Sequence, residues 1–162
     1  MSLTLRMVGG PYNGLLDKVD FIRRCYRKSL LDPKVLRFAE EAVGRGTRAE
    51  QARNLFDFLR DRVRYVPDPV GVEMTKSPGV MVEEILSRGF ATGDCDDHSC
   101  LAYALLNLVG IRTKLRVIWL GKPSPQHIYV VSSIDDEDVA FDTTRALGFG
   151  TEARYTRKED FL

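Results

Sequence analysis

Ala52, Leu55, Phe56 and Leu59 fall at i, i+3, i+4 and i+7, a stripe that one side of a helix buries. Thr47 followed by Glu50 supplies the reciprocal cap that would start that helix. Just upstream, Asp32-Pro33 reads as N-cap and first position of a helix ending near Gly44, because proline has no N–H to lose there. A further helix is expected over residues 17–31 behind Asp17, and a short one over 80–87 before Gly89. Later the period changes. Residues 113–120, 131–134 and 139–141 are rich in β-branched and apolar side chains, which gives at least three strands. Helices first and strands after predict an α+β fold.

Two stretches break this pattern. Residues 1–16 hold Gly9-Gly10-Pro11 and Asn13-Gly14 without periodicity, which predicts an irregular arm. Residues 65–79 carry Pro67, Pro69 and Pro78 and read as a long loop, a length that usually serves a site. The expected organisation is one domain over residues 1–162: the arm at 1–16, helices over 17–64, the loop at 65–79, a core at 80–145 and a C-terminal segment at 146–162. The 162 residues are enough to bury a core without disulfides or metals.

Composition narrows the classes. An apolar fraction of 44% and a net charge of +1 are those of an ordinary globular chain. Residues 1–64 carry 14 Lys/Arg against 8 Asp/Glu, and the remainder 10 against 15. That basic excess lacks interleaved aromatics, so solvated helix faces explain it better than nucleic acid does. Three cysteines, Cys25, Cys95 and Cys100, are an odd set without repeated spacing, which argues against a disulfide framework. No signal-like start or bilayer-length apolar run is present, so the expectation is a cytoplasmic protein, with no membrane partner and no cofactor.

The chemistry concentrates in Thr92-Gly93-Asp94-Cys95-Asp96-Asp97-His98-Ser99-Cys100, which runs into the helical Leu101-Ala102-Tyr103-Ala104-Leu105-Leu106. A cysteine in the first turn of a helix faces unpaired N–H groups and the positive end of the dipole, which favour thiolate. Downstream, His127 opens the apolar run Ile128-Tyr129-Val130-Val131, and Asp142 closes Val139-Ala140-Phe141. A two-residue turn at Asp135-Asp136 would pair Ile134 with Glu137 and leave His127 and Asp142 within reach on one sheet face. Cys95, His127 and Asp142 are therefore the candidate catalytic residues: nucleophile, base and orienting carboxylate. On this reading the Cys95 thiol is expected to be ionised before substrate arrives.

Gly93-Asp94-Cys95-Asp96-Asp97, the helix ending Leu108-Val109-Gly110-Ile111, Gln126-His127-Ile128-Tyr129-Val130 and Val139-Ala140-Phe141-Asp142-Thr143-Thr144 together resemble the core of the transglutaminase-like cysteine protease superfamily. The lead-in from Val63 to Glu73 resembles short phage and prophage members. The resemblance implies a papain-like arrangement, a catalytic-cysteine helix on an antiparallel sheet. It also implies thiol-dependent acyl chemistry on a peptide or amide, with hydrolysis ahead of transamidation. A peptide or protein substrate and phage structural proteins are the expected partners, and virion association the expected alternative location.

Other readings stay open. Cys95-x-x-His98 with His127 and Asp142 has the residue types of a zinc site, although structural zinc sites usually pair two such short motifs. His98 is a rival base on the same side of the helix as Cys95. Asp94 suits an N-cap, while Asp96 and Asp97 serve either as capping charges or as a cation-selecting rim, and all three oppose thiol ionisation. Cys25 and Cys100 read as buried small hydrophobes. Tyr65, Asp68 and Trp119 are weak cleft-lining candidates. Finally, the chain could be a structural virion or assembly module that uses the fold for docking.

Overall fold

A computed structural model describes residues 4–8, 14–70 and 72–162. Three helices come early: α1 (Gly14–Ser29), α2 (Pro33–Val43) and α3 (Arg48–Arg62). Asp32 caps α2 by accepting from the Lys34 N–H, with proline in the first turn. Thr47 and Glu50 form the expected capping box on α3, with the Thr47 N–H donating to Glu50 Oε2 at 2.7 Å. Ala52, Leu55, Phe56 and Leu59 are all buried, as the stripe requires. The short helix is α4 (Pro78–Arg88), closed by Gly89 at φ 85°, a left-handed backbone that glycine adopts without cost.

The cysteine helix, α5 (Cys95–Leu108), is buried on every side from Asp96 to Leu106. Such a helix lies at the centre of its fold rather than on the surface. It packs against α1, α2 and α4 and against two strands, β5 (Thr113–Trp119) and β6 (His127–Ile134). With β7 (Glu137–Phe141) and β8 (Arg157–Phe161) these make an antiparallel sheet in the order β7-β6-β5-β8. Leu115, Val117, Ile128 and Val130 join the main core. Ile118, Tyr129, Val131 and Ala140 build a second cluster, packed by Leu120, Ala153 and Tyr155. Helices packed on an antiparallel sheet make the fold α+β.

The β6–β7 hairpin has the anticipated register, Ile134 opposite Glu137 and Val130 opposite Phe141. Its turn residues Asp135 and Asp136 take φ of 52° and 64°, the pair of positive values that a two-residue hairpin turn needs to match strand twist.

Five strands were not expected. Residues 4–8 are a strand, β1 (Thr4–Val8), rather than part of an irregular arm, and they pair antiparallel with β3 (Val72–Lys76). The turn signals at Gly9-Gly10-Pro11 and Asn13 lie outside the described residues. The stretch read as a loop over 65–79 thus contains β3, the end of β2 (Val63–Tyr65) and the start of α4. β2 pairs in parallel with β4 (Ala91–Gly93). β8 forms the edge of the main sheet, where Asp160 holds Arg116 through Nε at 2.7 Å and Nη2 at 2.9 Å. These short strands exist because a distant partner completes them, which local pattern does not carry.

Candidate active site

α5 begins where β4 ends, so the β2–β4 pair fixes the position of Cys95. Tyr65 lies opposite Gly93, and the Val66 N–H donates to the Gly93 carbonyl at 2.9 Å. Asp94 is the N-cap, and Asp97 reaches back to accept from the Asp94 N–H at 3.0 Å. That approach requires Gly93: a Cβ there would sit 2.4 Å from the Asp97 Cβ. The other Asp97 oxygen accepts from the Lys76 N–H at 2.6 Å, tying β3 to the start of the helix. Tyr65 and β3 therefore serve the site from within the expected loop, as paired strands.

The three carboxylates are structural groups, Asp96 and Asp97 buried and Asp94 half-buried. Asp96 accepts from Thr75 Oγ1 on β3 and pairs with Lys18 Nζ of α1 at 2.9 Å. Burial first, then the bond to Asp96 and its charge, pushes the Asp94 carboxyl up to about 10. Burial and Asp96 likewise raise Asp97 to about 7, against the two backbone N–H groups it accepts from. The aspartates thus cap and anchor the helix. Asp94, Asp96 and Asp97 place ligand atoms within 4.8 Å of one another. Cys95, His98, His127 and Asp142 form no such group among the described residues. The four-ligand zinc arrangement is therefore not assembled by the geometry of these residues.

At the other side of the site, His127 Nε2 and Asp142 Oδ2 lie 2.6 Å apart, both side chains buried. Asp142 Oδ1 accepts from the Thr144 N–H at 3.1 Å and from Thr144 Oγ1 at 2.6 Å. Burial would raise the Asp142 carboxyl, but His127 and then Thr144 outweigh it and hold it below its ordinary value. The Ile128 N–H, one residue along from His127, favours the ionised form of the Cys95 thiol. Ser99 Oγ donates to the Cys95 carbonyl at 2.6 Å and to the Ile128 carbonyl at 3.1 Å. Helix start and strand start are thereby laced together, which brings Cys95 to the His127–Asp142 end of the sheet.

The thiol departs from expectation. Burial first, then Asp96 and Asp94, pushes it well above the ordinary cysteine value, and the Ile128 N–H and Lys18 offset this only in part. Helix position alone was a poor guide, because carboxylates crowd the same turn. His98, the rival base, is buried, and burial holds it down to about 4. Its Nδ1 is spent on Thr143, so it packs behind the site as a neutral ring. Of the weak cleft candidates, Tyr65 is half exposed with its ring 6.3 Å from that of His98. Asp68 closes the 66–74 turn by accepting from the Met74 N–H, and Trp119 is buried beneath Arg157. Lys18 and Thr75 went unnoticed in the sequence, and Thr144 was marked only as the end of the family-like run after Phe141. Only Thr144, in a Thr-Thr pair directly after Asp142, carried a local signal.

The profile of the Transglutaminase-like superfamily matches residues 37–154, a span holding Cys95, His98, His127, Asp142 and Thr144. The chain belongs to the transglutaminase-like superfamily. Two solved structures share the fold. A candidate protease from Parabacteroides distasonis is 14% identical with a TM-score of 0.61, over 82% of this chain and 27% of that one. A candidate cysteine protease from Cytophaga hutchinsonii is 19% identical with a TM-score of 0.51, over 79% and 46%. The chain therefore spans less than half of either relative. No curated protein is significantly similar in sequence. No helix among the described residues is long and apolar enough to cross a membrane.

Proposed function

We propose that the chain carries out thiol-dependent acyl chemistry on a peptide or amide, with hydrolysis ahead of transamidation. Cys95 is the nucleophile, His127 the base and Asp142 the carboxylate that orients it. The observation that supports this most is the buried His127–Asp142 pair at 2.6 Å, on the strand whose Ile128 carbonyl shares the Ser99 hydroxyl with the Cys95 carbonyl. With Nε2 committed to Asp142, Nδ1 is the nitrogen that takes the thiol proton. Because burial and the aspartates keep the thiol protonated at rest, the proton moves as sulfur attacks rather than beforehand. The new S–C bond places negative charge on the carbonyl oxygen, and the backbone N–H of Cys95, an orphan donor at the helix start, stabilises it. The C–N bond then breaks, His127 returns the proton to the leaving amine, and water resolves the thioester. The names of the two fold relatives, both candidate proteases, agree with hydrolysis.

Intact-mass detection of an acyl-enzyme, with a panel of glutamine peptides and activated amides, tests the reading. A covalent adduct on Cys95, lost in Cys95→Ala and in His127→Ala, is expected. If no adduct forms across the panel while Cys95→Ala keeps its fold and its binding partners, the chain is a docking module such as a phage assembly protein.

A further inference from the structure

Asp142 is not the sole contact that holds His127. Tyr129, two residues along β6, projects from the same sheet face and stacks on the imidazole, with ring centroids 5.5 Å apart and planes 28° apart. Tyr129 is buried and belongs to the second core cluster. Its hydroxyl donates to Glu152 Oε1 at 2.6 Å. The same oxygen accepts from Arg116 Nη1 at 2.5 Å. Arg116 is the direct cross-strand partner of both Tyr129 and Asp160, and Asp160 accepts from its Nε and Nη2. A chain of side chains thus runs from the edge strand β8 through Arg116, Glu152 and Tyr129 to His127. Glu152, beyond Thr144 in the segment between β7 and β8, has no part in the acyl chemistry proposed above.

We propose that Tyr129 is a positioning residue for His127 and that Glu152 anchors it, an inference that rests on the acyl reading above. The bond from Nε2 to Asp142 fixes one point of the imidazole and leaves the ring free to tilt about it. A ring stacked against one face removes that freedom, because offset aromatic pairs attract and a tilt opens the contact. Tyr129 can do this only while its own ring stays in place. Ile118, Val131 and Ala140 pack with it, and the bond from its hydroxyl to Glu152 sets how far it reaches. A carboxylate accepts such a bond about twice as strongly as a neutral group does, and Arg116 holds that carboxylate from the other side. Asp142 therefore determines which imidazole nitrogen is free to take the thiol proton, and Tyr129 determines where that nitrogen lies. The segment that follows the triad becomes part of the machinery that aims the base.

The test follows the imidazole and the chemistry separately. The chain has two histidines, so His98→Gln assigns the ring N–H signals in a proton spectrum of histidine-labelled protein. The wild type should show a downfield His127 Nε2 proton protected from water by its bond to Asp142. Tyr129→Leu should lose that signal to exchange. Tyr129→Phe, which keeps the ring without the anchor, and Glu152→Ala should broaden it, and Glu152→Gln, which keeps an acceptor, should restore most of it. Acylation of Cys95 by p-nitrophenyl acetate, read by peptide mapping with Cys95→Ala as blank, should fall about 10²-fold in Tyr129→Leu and about ten-fold in Tyr129→Phe and Glu152→Ala. Urea midpoints measure any accompanying loss of stability. Variants that lose stability but keep the wild-type proton signal and acylation rate overturn the proposal. So does a Tyr129→Phe that loses the signal as fully as Tyr129→Leu, because the stacked ring would then not be the working part. If the wild type takes no acyl group, the acyl reading fails and the proton signal alone decides whether Tyr129 positions the ring. If the wild type is acylated and the variants match it in both readouts, the acyl reading stands and the positioning role falls. If Tyr129→Leu does not fold, Tyr129→Phe and Glu152→Ala decide.

Discussion

Lys18 Nζ lies 2.9 Å from Asp96 Oδ1, with both side chains almost wholly buried. Removing either partner leaves a buried charge poorly compensated, so Lys18→Met and Asp96→Asn should each destabilise the fold by about 3–5 kcal/mol. Their effects on the thiol have opposite signs, because Lys18 lowers the Cys95 value and Asp96 raises it. The wild-type thiol should be alkylated by iodoacetamide only above about pH 8.5. That onset should move up in Lys18→Met and down in Asp96→Asn. Labelling rates against pH, beside urea unfolding curves, check both halves. Labelling of wild-type Cys95 near pH 6 would contradict the buried, carboxylate-crowded thiol.

Asp97 and His98 are sequence neighbours whose protonation pulls stability in opposite directions. The Asp97 carboxyl is raised to about 7, above its unfolded value near 3.9. Its contribution is therefore complete below about pH 4 and is lost as pH rises through 7. His98 is lowered to about 4, so its contribution is present above its unfolded value of about 6.5 and is lost as pH falls through 4. The two amount to roughly 4 and 3 kcal/mol, and between pH 4 and 6.5 their opposite slopes cancel. His98→Gln should unmask stability that falls with rising pH, and Asp97→Asn stability that falls with acidification. Denaturant midpoints at half-unit pH steps would show the two slopes; the same slope in both variants would refute the assignment.

Thr144 tethers one oxygen of Asp142 while His127 takes the other. On the proposed mechanism, Asp142→Asn misplaces the imidazole tautomer and should lower kcat by about 10³–10⁴-fold. Thr144→Val keeps the carboxylate and one of its two local donors, so the loss should be nearer ten-fold. His98→Ala should leave most activity, because that ring is not the base. Steady-state kinetics on the substrate found by acyl-enzyme screening, with kcat and KM separated, would rank the three. A dead His98→Ala beside an active His127→Ala would reverse the assignment of the base.

Much of this was legible in the chain because it is local. The Thr47–Glu50 box, the Asp32-Pro33 start, Gly89 and the two-residue turn at Asp135-Asp136 each act within a few residues. The hairpin register then carried the His127–Asp142 pairing with it. The rest depends on groups far apart in sequence. Thr75 and Lys76 reach the Asp94–Asp97 turn only because β3 has β1 to pair with. Lys18 sits on a helix face that shows nothing unusual until Asp96 is placed against it. The thiol was misjudged for the same reason: the helix start is visible in the sequence, but the burial that makes nearby carboxylates dominate is not.

Gly93 is the position where the site is least tolerant of added volume. Its virtual Cβ falls 2.4 Å from the Asp97 Cβ and 2.6 Å from Asp97 Oδ2. The neighbouring atom is a Cβ fixed to the helix backbone, so a rotamer change cannot clear it. Gly93→Ala should therefore displace the first turn of α5 and cost about 1–3 kcal/mol. The displacement should also reduce acyl-enzyme formation, because Cys95 is the first residue of that turn. A double-mutant cycle separates clash from lost capping. Asp97→Ala keeps the offending Cβ, so the penalty of Gly93→Ala should persist in that background. Asp97→Gly removes it, and there the penalty should largely vanish. Equal penalties for Gly93→Ala in the Asp97→Ala and Asp97→Gly backgrounds would show that Gly93 is not held by its contact with Asp97.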